Sequence, residues 1–310
     1  MRIPMHQAAL AVIVLALAVA APWLGSSYLT GVFTLCLIYA IWAMGWDFFT
    51  GLSGRENFGY QLFIGAGAYA SAWLDTNFGV SPWIGLAVAV AVAIAFGLLI
   101  GFPTLRLKGP YFALATLAAA VIIQHLLVIL WEYTGGEEGI NGLTPLLLDP
   151  VPFYYLTLGT ALACGVLLVA LARSRWGLLL RAIRGDEASC QAAGINITFY
   201  KIAALVISAA CAGLGGALYA SYQMQVSPQM MSVMMLIAVI SMAYIGGLGS
   251  IYGAAGGAVV LTLLGETLRS AGEYRLLVYS LLLIAVIFFL RNGLIAPLWR
   301  RLGGQREVAP

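Results

Sequence analysis

Three ionisable residues of this 310-residue chain, Asp47, His125 and Glu266, fall inside long apolar runs, where a side chain able to carry charge is a candidate for proton or ion handling. They do not add up to a relay. Asp47 lies near one end of its run and Glu266 near the opposite end of another. Only His125 sits well inside, where a hydrogen bond to a neighbouring helix accounts for it. The chain has 2 histidines and 12 acids, scattered too widely for a Ser-His-Asp constellation or a metal-ligand cluster. The phosphate loop G-x-x-x-x-G-K-[ST] does not occur, so nucleotide binding of the P-loop kind is excluded. Cys36, Cys164 and Cys211 fall in apolar runs and Cys190 in a basic loop; without metal or redox spacing they read as small packing residues. No catalytic, cofactor-binding or metal-binding residue is expected in this chain.

The chemistry that remains is that of surfaces. Residues 173–196 (RSRWGLLLRAIRGDEASCQAAGIN) form the longest polar gap. Trp176, Leu179, Leu180 and Ile183 recur at i, i+3, i+4 and i+7, an apolar helical face, and Arg181 and Arg184 stand three apart on another. Gly185 is a helix stop, Asp186 an N-cap for a second short helix, and Gly194 its stop. The prediction is an elbow of two short helices presenting an apolar ridge and two arginines to the cytoplasm. A loop that only fixes topology needs charge alone; amphipathic order and caps point to a docking surface.

Glycines give a second pattern. Gly249, Gly253 and Gly257 make two overlapping small-xxx-small steps, and Gly65, Gly67 and the run Ala212–Ala217 do the same elsewhere, so that helices can approach closely. Most of these steps serve packing. Breaks at Gly65, Gly67, Gly246, Gly247, Gly249 and Gly253 would also allow interrupted helices to line a solute path. Gly135, Gly136 and Glu138 sit in a glycine-rich loop on the opposite side from the basic gap.

The elements that must position these residues are membrane spans. With 62% hydrophobic and 9% charged residues, against about 25% charged in soluble domains, the chain is an all-α polytopic membrane protein, read as one transmembrane domain over 1–310. Ten candidate spans follow: 8–24, 29–48, 58–74, 82–101, 111–131, 153–172, 198–221, 233–247, 251–268 and 275–291. The first is read as a span rather than a removable leader. Residues 233–268 as one helix would run about 54 Å, so a fold-back at Gly246–Ser250 is expected. With both termini cytoplasmic, 13 of the 15 basic residues lie inside and only Arg269 and Arg275 outside. The basic residues sit between apolar runs, and the net charge of +3 marks topology rather than nucleic-acid binding. Trp23, Trp73, Trp83, Trp131 and Trp299 fall near span ends, where the ring suits the interface with membrane lipid.

Across Leu37–Gly293 the sequence resembles the permease subunits of bacterial branched-chain amino acid ABC importers, of the LivM type. The resemblance rests on the runs 63–69 (FIGAGAY), 105–117 (LRLKGPYFALATL) and 134–136 (TGG) with Gly139-Ile140. It continues through 181–184 (RAIR) with 192–196 (AAGIN), 212–220 (AGLGGALYA), 246–253 (GGLGSIYG) and 291–294 (RNGL). Asn57-Phe-Gly-Tyr60 stands where the family often has Ser-Leu-Gly-His, and Arg291-Asn292 where it often has Arg-Pro.

The resemblance implies a heteromeric importer. It has a second, dissimilar permease subunit, two ABC ATPase subunits holding ATP and Mg on the inner side, and a periplasmic solute-binding protein, all at a bacterial inner membrane. It implies that the elbow contacts the ATPase, with Leu179, Arg181, Ala182, Ile183, Arg184, Asp186, Glu187, Ala192 and Gly194 as coupling residues. Gly135, Gly136 and Glu138 would then face the binding protein. Branched-chain amino acids are the default solute, since related permeases handle urea, short-chain amides and other small solutes. A self-contained secondary transporter or channel is the rival and would need an intramembrane charge relay; a membrane-embedded enzyme would need the missing catalytic cluster.

Overall fold

In a computed structural model of the chain the described residues are 15–23, 26–107 and 109–268. The expected last span, 275–291, the basic residues after it and the first seven residues of span 8–24 lie outside them.

Helical structure dominates, for reasons visible at the helix ends. Proline occupies the first turn of three long helices, where its missing N–H costs nothing: α3 (Pro82–Thr104), α4 (Pro110–Ile129) and α6 (Pro150–Arg173). Glycine in the left-handed region closes α1 (Ser27–Ser53) at Gly54 and α2 (Tyr60–Phe78) at Gly79. A short turn α5 (Trp131–Thr134) leads to the strand β1 (Ile140–Asn141). The elbow helices are α7 (Arg175–Gly185) and α8 (Glu187–Ala192), followed by the long α9 (Ile197–Gln223). Strand β2 (Gln225–Val226) pairs antiparallel with β1, Ile140 facing Val226 and Asn141 facing Gln225. A 3₁₀ turn over Pro228–Met231 precedes α10 (Val233–Gly246), and α11 (Ile251–Thr267) completes the described fold.

Five of these helices, α1, α3, α4, α6 and α9, are long and apolar enough to cross a membrane, and the α10–α11 pair makes up to a sixth. Burial separates them. In α1 and α9, 67% and 61% of the most apolar stretch is enclosed by protein, against 22–33% in α3, α4 and α6. So α1 and α9 form the centre, and the other three turn apolar faces outward. Helix α2 is less apolar because protein, not lipid, surrounds it: Tyr60 through Tyr69 are all buried. It approaches α9 so closely that a Cβ on Gly67 would lie 2.5 Å from the Gly213 Cα. The aromatic core runs through Trp42, Trp46, Phe48, Phe49, Tyr60 and Phe63. Residues 15–23 are helical and packed on α6, where the Tyr154 hydroxyl donates to the Ala18 carbonyl at 2.6 Å.

The fold-back at the glycines is present: α10 and α11 bend by 119° at their junction. Their lengths differ from the expected full spans. At 14 and 17 residues they run about 21 and 26 Å, short of a hydrocarbon core of about 30 Å. The chain before α10 enters the bundle in non-helical form, so α10 begins part-way across.

Candidate functional site

The elbow is built by three successive N-caps. The Ser174 hydroxyl accepts from Trp176 N–H at 3.2 Å, the Asp186 carboxylate from Ala188 N–H at 2.9 Å, and the Asn196 amide from Phe199 N–H at 3.1 Å. Hydrogen bonds from the Ser189 hydroxyl and from the Ser189 and Ala188 N–H groups hold the Asp186 carboxyl below the usual carboxylate range. Asp186 as a cap and Gly194 as a stop (φ 81) are where the sequence put them.

The ridge faces the other way. Leu180 and Ile183 are fully buried within the chain, and Trp176 packs edge-on against Tyr200 and Phe199 at 5.1 and 5.7 Å. An amphipathic helix beside its own bundle covers its apolar stripe there, so Ile183 offers nothing to a partner and Leu179 is half-covered. The outward stripe is Leu178, 67% exposed, with Arg181, Ala182 and Gly185. Ala192 and Gly194 are exposed as well.

Two fastenings tie the elbow to the spans. Arg184 lies over Gly54 and donates from Nη1 to the Gly51 carbonyl at 2.5 Å, while Arg181 Nη2 donates to the Ala172 carbonyl at 2.8 Å. Glu187 is the second: its Oε1 accepts from Lys201 Nζ at 2.6 Å and from Arg55 Nη2 at 2.8 Å, and Arg55 also donates to the Leu107 carbonyl at 2.9 Å. Partial burial pushes the Glu187 carboxyl up, but the bonds and charges of Lys201 and Arg55 outweigh it and hold the group below its ordinary range. Glu187→Gln should therefore destabilise the chain. The Lys201 side chain is 3% exposed and that of Glu187 41%, so the loss falls between surface and buried pairs, about 2 kcal/mol. A lowered folded pKa gives stability that is present above the unfolded value of about 4.3 and lost as pH falls through the folded one. Melting of the parent and variant in detergent should differ at pH 7, and the difference should shrink as pH falls below the usual glutamate range.

Beside Arg184 lies a contact that sequence reasoning missed. Asp47, 0% exposed, accepts from the Gly249 N–H at 2.7 Å, and a Cβ on Gly51 would lie 2.6 Å from the Gly249 Cα. The Gly249 turn (φ 78) joins α10 to α11. Arg184, Gly51, Asp47 and Gly249 thus connect the elbow to the bent helix pair through the end of α1. The sequence marked both ends, the lone acid in an apolar run and the Gly249 break, but nothing in it joined them across 202 residues.

The expected path glycines are contact points between helices. Gly65 lies against the Met231 side chain, Gly67 against Gly213, and Gly246 against Gly253 across the bend. Gly247 (φ 99) turns the chain there. Two cavities are lined by other residues: a polar one of about 130 Å³ near Tyr219 and Gln229, and an apolar one of about 290 Å³ near Tyr69 and Phe96. His125 bonds to the Val121 carbonyl of its own helix at 2.9 Å, not to a neighbouring one. Glu266 accepts from the Tyr28 hydroxyl at the end of the bundle opposite the elbow. At that end too, Gly135 (φ 74) and Gly136 (φ 59) turn the loop that leads to β1, with Glu138 exposed and its carbonyl 3.4 Å from Gln225 Nε2.

Comparison with known proteins gives consistent matches. Residues 28–289 match the family model described as branched-chain amino acid transport system / permease component. The chain is 32% identical to the high-affinity branched-chain amino acid transport system permease protein LivM of Escherichia coli (strain K12), over 92% of this chain and 74% of that one. It is 32% identical to the protein of the same name from Salmonella typhimurium, over 91% and 73%. A nucleoside ABC transporter permease protein, NupC, of Lactococcus lactis is 26% identical over 56% of this chain and 60% of its own length. No solved structure matches.

Proposed function

The chain belongs to the family of permease components of branched-chain amino acid transport systems, and from that premise we propose how this member works and what it carries. It is a multi-pass membrane protein and a permease subunit of an ABC transporter. Its solute is a small amino acid with an apolar side chain. ATP is hydrolysed, with Mg, on two partner ATPase subunits. A second, dissimilar permease completes the pathway, and a periplasmic binding protein supplies the solute. The chain crosses a bacterial inner membrane ten times, with the elbow end and both termini in the cytoplasm.

The observation that carries the coupling role is the double fastening of the elbow. A helix pair that exposes Leu178, Arg181 and Ala182 and is tied inward through Arg184 and Glu187 can pass a partner's motion to the Gly249 turn. The ATPase subunit then docks on the outward stripe, and Ile183 and Glu187 fix that stripe to the spans. The 26% identical nucleoside permease keeps another small solute as the second reading, alongside urea or short amides. A self-contained carrier is disfavoured by His125, whose bond stays within its own helix.

Sidedness and uptake test the proposal together. The four native cysteines are buried, which keeps labelling background low. In cells expressing the permeases without the ATPase subunits or binding protein, a cysteine replacing exposed Glu138 should react with an impermeant thiol reagent before permeabilisation, and one replacing exposed Ala182 only after it. The reversed pattern, or valine uptake without ATPase subunits, would overturn the proposal.

A further inference from the structure

Between α9 and α10 the backbone leaves regular helix inside the bundle. Helix α10 covers about 21 Å of a core about 30 Å thick, and its last residues reach the Gly249 turn beside Gly51 at the elbow end. Its first residues therefore lie part-way across, where Met231 packs on Gly65. The chain reaches that depth through residues 224–232. Met224 is left-handed (φ 52), the one such non-glycine among the described residues; β2 and the 3₁₀ turn follow, and Gln124 Nε2 donates to the Pro228 carbonyl at 3.2 Å. Non-helical backbone at such depth persists only where protein buries it or where it lines a water-filled cavity.

Here it lines one. The cavity of about 130 Å³ is walled by Tyr219, Gln223, Gln225, Ser227 and Gln229, with Met235 as an apolar patch. No charged side chain lines it. Each amide both donates and accepts, so one wall can hold an ammonium and a carboxylate with no fixed charge to repel either. Gln223 Nε2 is braced on the Tyr219 hydroxyl at 3.1 Å and Gln225 Nε2 on the Glu138 carbonyl at 3.4 Å. The Gln229 side chain makes no hydrogen bond among the described residues and is exposed. The larger cavity is lined by aliphatic and aromatic residues with Thr134, and it has no amide or charged side chain to hold a zwitterion.

We propose that this polar cavity is the site that accepts solute on its way into the membrane. A small zwitterion is held there, its amino and carboxylate groups by Gln225, Ser227 and Gln229 and its apolar end against Met235. The proposal rests on the transport reading above and adds to it the residues that meet the solute. Of the glycines predicted to line the path, Gly65 packs on Met231 beside this stretch, and those of the α10–α11 bend lie at the elbow end.

The test uses the complete complex in proteoliposomes, with both permeases, the ATPase subunits and binding protein loaded with valine, and reads valine moved per ATP hydrolysed. Gln229→Leu and Gln225→Leu should each lower that ratio about tenfold, the effect of losing one good hydrogen bond to the solute. Stimulation of hydrolysis by the loaded binding protein should stay within about twofold in Gln229→Leu, whose side chain has no bond to the Glu138 loop, and Gln229→Asn should recover part of the ratio. An unchanged ratio in both leucine variants, with the wild-type complex transporting, overturns the site and leaves the transport reading standing. A wild-type complex that moves uridine and not valine overturns the zwitterion. A wild-type complex that moves neither fails the transport reading itself.

Discussion

Asp47→Leu should leave the complex assembled and hydrolysing ATP while cutting solute movement per ATP by at least about tenfold. The side chain is fully buried and its Oδ1 accepts the Gly249 N–H at 2.7 Å. Leucine fills much of the same volume but leaves that N–H without a partner, at a cost of about 1–3 kcal/mol. The loss falls on the turn between α10 and α11, not on the elbow, whose own bond from Arg184 runs to the Gly51 carbonyl. Asp47→Asn retains a carbonyl oxygen for Gly249 and should keep most of the coupling. Gly51→Val makes the same point through sterics. Its Cβ would sit 2.6 Å from the Gly249 Cα and N and 2.7 Å from Asp47 Oδ1, so the turn must move away. Equal loss of uptake and hydrolysis in Asp47→Leu, in step with a lower membrane level, would reduce this linkage to ordinary packing.

Ile183→Asp should prevent the chain from accumulating in the membrane at all. Ile183 is 0% exposed, and the substitution removes an apolar side chain worth about 1.5–3 kcal/mol and buries a carboxyl with no partner provided, for a total of about 4 kcal/mol or more. Stabilities of this size unfold many domains. A surface reading of the same residue predicts the opposite, a normal membrane level with the partner released. Blotting of membrane fractions for the full chain separates the two.

That contrast marks where the sequence was legible. Helix caps are local chemistry, and Asp186 and Gly194 act as their residue types predict. The amphipathic order of α7 is equally plain, but periodicity gives a face without saying what covers it. Here the covering is Tyr200, Phe199 and the chain's own spans, brought together by tertiary structure. Glu187 was expected among the coupling residues, and it is the counter-charge of Lys201 and Arg55, residues 14 and 132 positions away. Glycine spacing announced close approach at Gly67 and Gly253, though not the partners Gly213 and Gly246. The stretch 224–232 fell between the spans expected at 198–221 and 233–247. Its descent into the bundle depends on contacts with Gly65 and Gln124, which no local pattern encodes.

The docking role of the elbow is tested most directly by how much ATPase subunit co-purifies with Leu178→Glu. Leu178 is 67% exposed and lies outside the hydrophobic core of the described residues, so the variant should reach the membrane at the parent's level. A carboxylate set into an apolar contact with the partner should release the ATPase, with retention falling about tenfold or more and uptake falling with it. Normal membrane level, normal ATPase retention and normal uptake in Leu178→Glu would contradict the account and leave the elbow a basic loop that only sets topology.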